Sequence, residues 1–197
     1  MIEKGKEWGE PGVGPPETVS VLSDAQLAAS DPTGTYSVRG GDLFYSVGQP
    51  RELGIGDPCV VVPIDALECE LTVNGNQVVV LAASSILIGT WWRKSWIAVT
   101  NAEWIGPYNV APRSHPNDGR CEVLEFSSKM PLQQRWLARR KMRTGTHIPH
   151  PQIGTRAVRI ASFDVSTSSK VTIDAVKFCH ISHISVRVLP DYWRIII

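Results

Sequence analysis

Residues 67–83 constrain the fold of this chain more tightly than any other segment. Leu67, Cys69, Leu71 and Val73 alternate with Glu68, Glu70 and Thr72. Side chains of a strand point alternately to its two faces, so this period of two predicts a half-buried strand. Asn74-Gly75 follows, and an apolar run resumes over residues 77–83. An Asn-Gly pair readily takes the two left-handed positions of a tight hairpin, so the two runs are expected to pair antiparallel.

The same texture recurs. Residues 59–63 form a continuous run, and 96–100, 122–126, 157–162, 170–173, 184–189 and 192–197 read as further strands. Residues 36–38 and 43–47 read as short strands around Gly40-Gly41. Two segments read as helical. Ser23 is a plausible N-cap for a short helix beginning at Asp24. Residues 131–142 have Pro131 at the first helical position and Gly145 past the end, with Leu132, Trp136 and Leu137 as the expected buried stripe. The expected fold class is mainly β: an antiparallel β-sandwich with a short inserted helix.

Residues 5–16 hold Gly5, Gly9, Gly12, Gly14, Pro11, Pro15 and Pro16, and are expected to form an extended arm without regular elements. Trp8 can still dock on a neighbouring surface. The expected division is an N-terminal arm with short elements over 1–56 and a β-sandwich domain over 57–197.

Composition narrows the class. The chain has 197 residues, 43% hydrophobic and 20% charged, enough to bury a core without metal or disulfide staples. Cys59, Cys69, Cys121 and Cys179 form no C-x-x-C pair and are expected to be buried free thiols. No apolar run is long enough to span a bilayer. Residues 1–7 show no apolar core of a signal peptide, so a cytoplasmic location is expected. Residues 1–100 hold 6 Lys/Arg against 12 Asp/Glu, and residues 101–197 hold 14 against 7. This split suits either an anion-facing surface or two faces of one domain attracting each other.

Residues 98–150 carry the most specific pattern. Asn101, Gly106, Ala111-Pro112, Asn117-Asp118-Gly119 and Gly145-Thr-His147-Ile-Pro-His150-Pro151 stand in an order that resembles the second, C-terminal domain of bacterial diacylglycerol-type lipid kinases. Val171-Thr-Ile-Asp174-Ala-Val and Ile184-Ser-Val-Arg-Val-Leu-Pro190 extend the resemblance, which covers residues 57–197. Residues 1–56 match no part of the family firmly.

The resemblance implies a similar β-sandwich and several residue roles. The family's aspartate at Asp118 belongs to a structural magnesium site, so Mg²⁺ is the candidate cofactor, whereas Asn117-Asp118-Gly119 on its own also fits a plain tight turn. The family's Asp-Gly-Glu triplet supplies a general base and a second carboxylate. Here it reads Asp174-Ala175-Val176, so Asp174 is the candidate catalytic residue and its partner carboxylate is lost. The family's Gly-Gly-Asp-Gly-Thr nucleotide loop has only Gly40-Gly41-Asp42 as a counterpart. No βα unit is expected before it, so it is read as a turn.

Further clusters stand out. Arg135, Arg139, Arg140, Lys141 and Arg143 could face anionic lipid or phosphate, or form a solvated helix end that complements the helix dipole. Nucleic acid is the weaker alternative. Trp91, Trp92, Trp96 and Trp104 could line an apolar groove, or pack in the core or a subunit interface. His147/His150 and His180/His183 have spacings that suit hydrogen bonding better than zinc.

Three functions follow. The first is a stand-alone, non-catalytic binding or accessory module for a lipid or amphiphile, not active as an enzyme by itself. The second is the substrate-side half of a split lipid kinase, with a separate nucleotide-binding chain. The third is a structural, dimerising protein without a ligand. An isolated domain of this kind exposes apolar surface, so a homo-oligomer or a folded-back arm is also expected.

Overall fold

Two sixteen-residue strands, Pro58–Val73 and Ile181–Ile196, run antiparallel along each other and form the spine of the molecule. The computed structural model describes residues 7–14, 18–92 and 95–197. In chain order the elements begin with β1 (Glu10–Val13), β2 (Val19–Val21), α1 (Asp24–Ala28), β3 (Thr35–Val38), α2 (Asp42–Ser46), β4 (Pro58–Val73), β5 (Asn76–Ala82), β6 (Ser85–Gly89) and β7 (Trp96–Thr100). They continue with β8 (Trp104–Ile105), β9 (Tyr108–Asn109), β10 (Cys121–Phe126), α3 (Leu132–Met142), β11 (Ile153–Val158), β12 (Ile160–Asp164), β13 (Val171–Ile173), β14 (Val176–Phe178) and β15 (Ile181–Ile196).

The 67–83 hairpin forms as the sequence predicts. Leu67 to Val73 pair with Ala82 to Asn76, and Asn74 and Gly75 take φ of 50° and 82°. β1 and β5 lie along one side of β4, and β15 lies along the other. β12 and β3 flank β15, and β2 completes this seven-stranded sheet. The second sheet, in the order β11-β10-β7-β6-β13-β14, is antiparallel throughout.

The two sheets enclose one core. Leu67, Cys69 and Leu71 of the first meet Ile86, Val99 and Val123 of the second. Alternate residues of the second sheet, such as Ala98 and Leu124, point the other way and pack beneath α3. The mainly β, sandwich-like class read from the sequence holds. Of the cysteines, Cys59, Cys69 and Cys121 are buried, whereas Cys179 is exposed.

The N-terminal quarter departs from an extended arm. β2 and β3 pair in parallel with α1 between them, and β3 pairs in parallel with the end of β15. Val21, Leu27, Val38 and Leu43 form a second core with Ile64 and Trp193. A βα unit therefore does precede Gly40-Gly41. Residues 43–47 are not a strand, because Asp42–Ser46 forms α2. Gly41, at φ 92°, turns the chain into that helix, and a Cβ there would lie 2.4 Å from Asp24 Oδ1.

Within 5–16, residues 5, 6, 15 and 16 lie outside the described residues, but Glu10–Val13 forms a strand on β4. Its place at a sheet edge tolerates Pro11, which has no N–H to donate. Trp8 does dock, donating through Nε1 to the Pro63 carbonyl and meeting the His115 ring edge-on at 4.6 Å.

α3 forms where expected but is rotated. Leu132, Trp136 and Leu137 are exposed, and Arg135, Ala138 and Met142 face inward. The cause is Arg135, whose guanidinium donates to the carbonyls of Trp91, Ser127 and Met130. Three carbonyls that lack strand partners capture the charged group, and Ala138 and Met142 follow it one and two turns on. No helix among the described residues is long and apolar enough to cross a membrane.

Candidate functional site

Two turns that the resemblance ties to phosphoryl transfer are far apart in sequence and meet in space. One is Gly40-Gly41-Asp42, between β3 and α2. The other is Asp174-Ala175, the two-residue turn between β13 and β14. The link between them is the bend from β5 into β6, at Ala83, Ser84 and Ser85.

Asp174 is buried and heavily bonded. Its carboxylate accepts from the backbone N–H of Ala83 at 2.6 Å, Ser84 at 3.0 Å and Ser85 at 2.9 Å, and from the Ser84 hydroxyl at 2.9 Å. Across that hydroxyl, also at 2.9 Å, lies Asp24 Oδ2. Asp24 in turn accepts from the backbone N–H of Asp42 at 2.6 Å and Leu43 at 3.2 Å. The side chain of Asp42 accepts from Gly106 N–H at 2.7 Å and lies 3.4 Å from the Ser85 hydroxyl. The site thus holds three carboxyl groups: Asp174, the candidate catalytic residue; Asp42, of the nucleotide-loop counterpart; and Asp24, which belongs to no motif.

Electrostatics follow from burial. Desolvation first, and then the neighbouring Asp174 charge, push the Asp24 carboxyl up to about 7. Burial also raises Asp42 and Asp174, and the donors around Asp174 oppose that rise. A hydroxyl has one proton to give, so Ser84 can donate to only one of its two carboxyl neighbours. The other contact closes when Asp24 carries a proton. No His, Cys, Asp and Glu group among the described residues gathers three or more side chains in an arrangement that could hold a metal.

The second site is a groove of about 500 Å³ between the strand ends of β6 and β7, the β8–β9 hairpin and α3. Trp91, Trp92 and Trp96 line it, and the rings of Trp91 and Trp96 pack at 5.0 Å beside Phe126. Trp104 does not line it. It sits on β8, where its backbone N–H donates to the Ser46 hydroxyl of α2. A second depression of about 420 Å³ adjoins the groove and is lined by Trp92, Tyr108, Trp136, Arg139, Arg140 and Arg143. Of the five cations singled out from the sequence, Arg139, Arg140 and Arg143 are therefore together. Lys141 is exposed and lines neither depression, and the buried Arg135 belongs to the helix anchor.

Asp118 is half-buried and caps its own turn, accepting from Arg120 N–H at 2.9 Å. Burial raises its pKa, and Arg120 and His115 oppose the rise. Burial first, and then the Asp118 charge, raise Glu122, and Arg113 and Arg120 oppose that rise. Arg113 and Arg120 thus bring positive charge beside this pair, and among the described residues no third His, Cys, Asp or Glu side chain joins it. Among the histidines, His147 is buried and His183 bonds Asp164 and Ser162. Desolvation lowers His147 to about 4, which keeps it neutral.

The fold is found in other solved structures. No family model matches the sequence, and no curated protein does either. A diacylglycerol kinase from Bacillus anthracis str. Sterne superposes with a TM-score of 0.57 at 11% identity, over 90% of this chain and 75% of that one. A diacylglycerol-kinase-like protein of the same strain gives 0.63 at 10% identity, over 90% and 77%. Yeast NADH kinase gives 0.50 at 9% identity, over 91% of this chain and 60% of that one. The fold is therefore diacylglycerol-kinase-like. This chain spans about three quarters of each of the two Bacillus structures.

Proposed function

We propose that this chain is a non-catalytic binding module on a diacylglycerol-kinase-like fold, and that it seats an amphiphile in the groove beside Trp91, Trp92 and Trp96. The observation that carries the reading is the Asp24 carboxylate bonded to the N–H groups of Asp42 and Leu43. Phosphoryl transfer needs such donors free to cradle phosphate. Here the oxygens of an internal carboxyl already occupy them. Asp174 is likewise committed to four hydrogen bonds, and Val176 stands where the resemblance calls for a second carboxylate. The groove supports the ligand half of the reading, since it is concave, largely apolar and of ligand size.

The test is thermal unfolding of the purified chain with monolauroylglycerol or with ATP and Mg²⁺, alongside a phosphorylation assay with labelled ATP and diacylglycerol. The amphiphile is expected to raise Tm, because a ligand that binds only the folded state stabilises it. ATP is expected to leave Tm unchanged, and no labelled lipid is expected. Labelled lipid formed by this chain alone, and lost in Asp174→Asn, would overturn the non-catalytic reading.

A further inference from the structure

We propose that the groove selects an amphiphile with an acidic head group, a phosphate monoester or a carboxylate, gripped by Arg139 together with Arg140 and Arg143. The inference rests on the amphiphile reading above and goes further by naming the head-group class.

The pairing of the arginines points to it. Arg39 pairs with Glu52, Arg156 with Glu125 and Arg187 with Glu68. Arg135 is satisfied by carbonyls. Arg139, Arg140 and Arg143 line one depression, and none has a carboxylate within ion-pairing distance among the described residues. Helix α3 contributes no acidic side chain that could neutralise them.

Arg139 is held in place without being neutralised. Its Nε donates to the Tyr108 hydroxyl at 2.8 Å. Its guanidinium carbon lies 5.4 Å from the Trp92 ring centroid and 5.2 Å from that of Tyr108. Stacking on ring faces orients a guanidinium and leaves its outer N–H edge for another acceptor. The terminal N–H groups of Arg139 have no protein acceptor among the described residues. Planar N–H pairs match the oxygens of a carboxylate or phosphate.

Position completes the case. Arg139 lines both the apolar groove and the cationic depression, so it stands at their seam. Arg140 is held over the Trp136 ring at 4.9 Å on the outer side. An acyl chain lying along Trp91 and Trp92 would place its head at this seam. A neutral head would leave three arginine charges unanswered, whereas an acidic one meets them.

The experiment measures binding by tryptophan fluorescence below the micelle limit. Its probes are dodecyl phosphate, laurate, monolauroylglycerol and inorganic phosphate, with the wild-type chain and with Arg139→Gln, Arg139→Lys and Trp92→Ala. The two acidic amphiphiles are expected to bind at least tenfold more tightly than monolauroylglycerol. Arg139→Gln is expected to remove most of that preference and leave the neutral probe unchanged, with Arg139→Lys between the two. Trp92→Ala is expected to weaken all three amphiphiles. Equal wild-type binding of neutral and acidic amphiphiles overturns this proposal and leaves the amphiphile reading standing. Inorganic phosphate binding as tightly as dodecyl phosphate overturns it too. No binding of any amphiphile overturns both.

Discussion

Asp24 and Asp174 meet through a single hydroxyl: Ser84 Oγ lies 2.9 Å from Asp24 Oδ2 and 2.9 Å from Asp174 Oδ1. Asp24 belongs to the β2-α1-β3-α2 unit and Asp174 to the second sheet of the sandwich. The contact therefore joins the N-terminal unit to the sandwich through one shared hydrogen-bond chain. Burial raises both carboxyls, and the donors on Asp174 oppose the rise there, so the pair shares the proton the chain needs.

That relationship makes stability depend on pH. The Asp24 carboxyl is raised to about 7 in the folded chain against 3.8 as its ordinary value. Between those values the folded state holds a proton that the unfolded state has released. Its contribution is fully present below about pH 4 and is lost as pH rises through about 7. His147, lowered to about 4, works in the opposite direction over the overlapping range. The effect of Asp24 is therefore isolated by subtraction. The stability of wild type relative to Asp24→Asn is expected to fall by a few kcal/mol, as an order of magnitude, between pH 4 and pH 8. Denaturant unfolding across that range measures it, and parallel pH profiles would refute the shared proton.

What the sequence showed of this arrangement was uneven, for physical reasons. The 67–83 hairpin was legible because alternation and the Asn-Gly turn are local signals. The β2-α1-β3-α2 unit was not. Its strands and helices span three to five residues each, too few to show a period. They hold because β3 pairs with the far end of the chain, at Arg194 to Ile196. Trp91, Trp92 and Trp96 could be read as a groove, whereas Trp104 turns to α2 through a two-residue strand that no pattern announces. Asp174 was found through its motif. Asp24 and Ser84 had no motif, and only their contact gives them a role.

The Asp174-Ala175 turn carries strain that glycine would relieve. Asp174 has φ 45° and Ala175 φ 66°, so both residues of this two-residue hairpin are left-handed. Aspartate tolerates that conformation through local hydrogen bonds, but alanine has only its Cβ clash. Ala175→Gly is expected to stabilise the chain by roughly 1 kcal/mol. In a chain of this size that corresponds to a rise in Tm of roughly 2–4 °C. A fall in Tm would mean that the greater freedom of glycine in the unfolded chain outweighs the relieved strain.

Arg135 and Arg139 lie one helical turn apart, yet unequal outcomes are expected when they are replaced. Arg135 is 2% exposed and satisfies the Trp91, Ser127 and Met130 carbonyls. Arg135→Ala would leave the Trp91 and Met130 carbonyls without this donor beside a cavity, while the Ser127 carbonyl keeps the Met130 N–H, and is expected to cost about 3 kcal/mol. Arg139→Gln loses a hydrogen bond and two ring contacts at the rim but keeps the fold, and is expected to cost about 1 kcal/mol. Equal effects of the two substitutions would contradict the separation of anchor from rim.

The rotation of α3 can be tested in the same way. A helix that buried its largest apolar residues would depend on Leu132, Trp136 and Leu137. In this fold they are 63%, 53% and 48% exposed, and Met142 is 2% exposed. Leu132→Ser is therefore expected to shift stability by less than about 0.5 kcal/mol. Met142→Ala removes a buried side chain beneath the second sheet and is expected to cost about 2–5 kcal/mol. Urea unfolding of the two variants decides between the orientations. If Leu132→Ser were the costlier change, the helix would have to face the sheet the other way, and the three arginines at the groove would no longer share one depression.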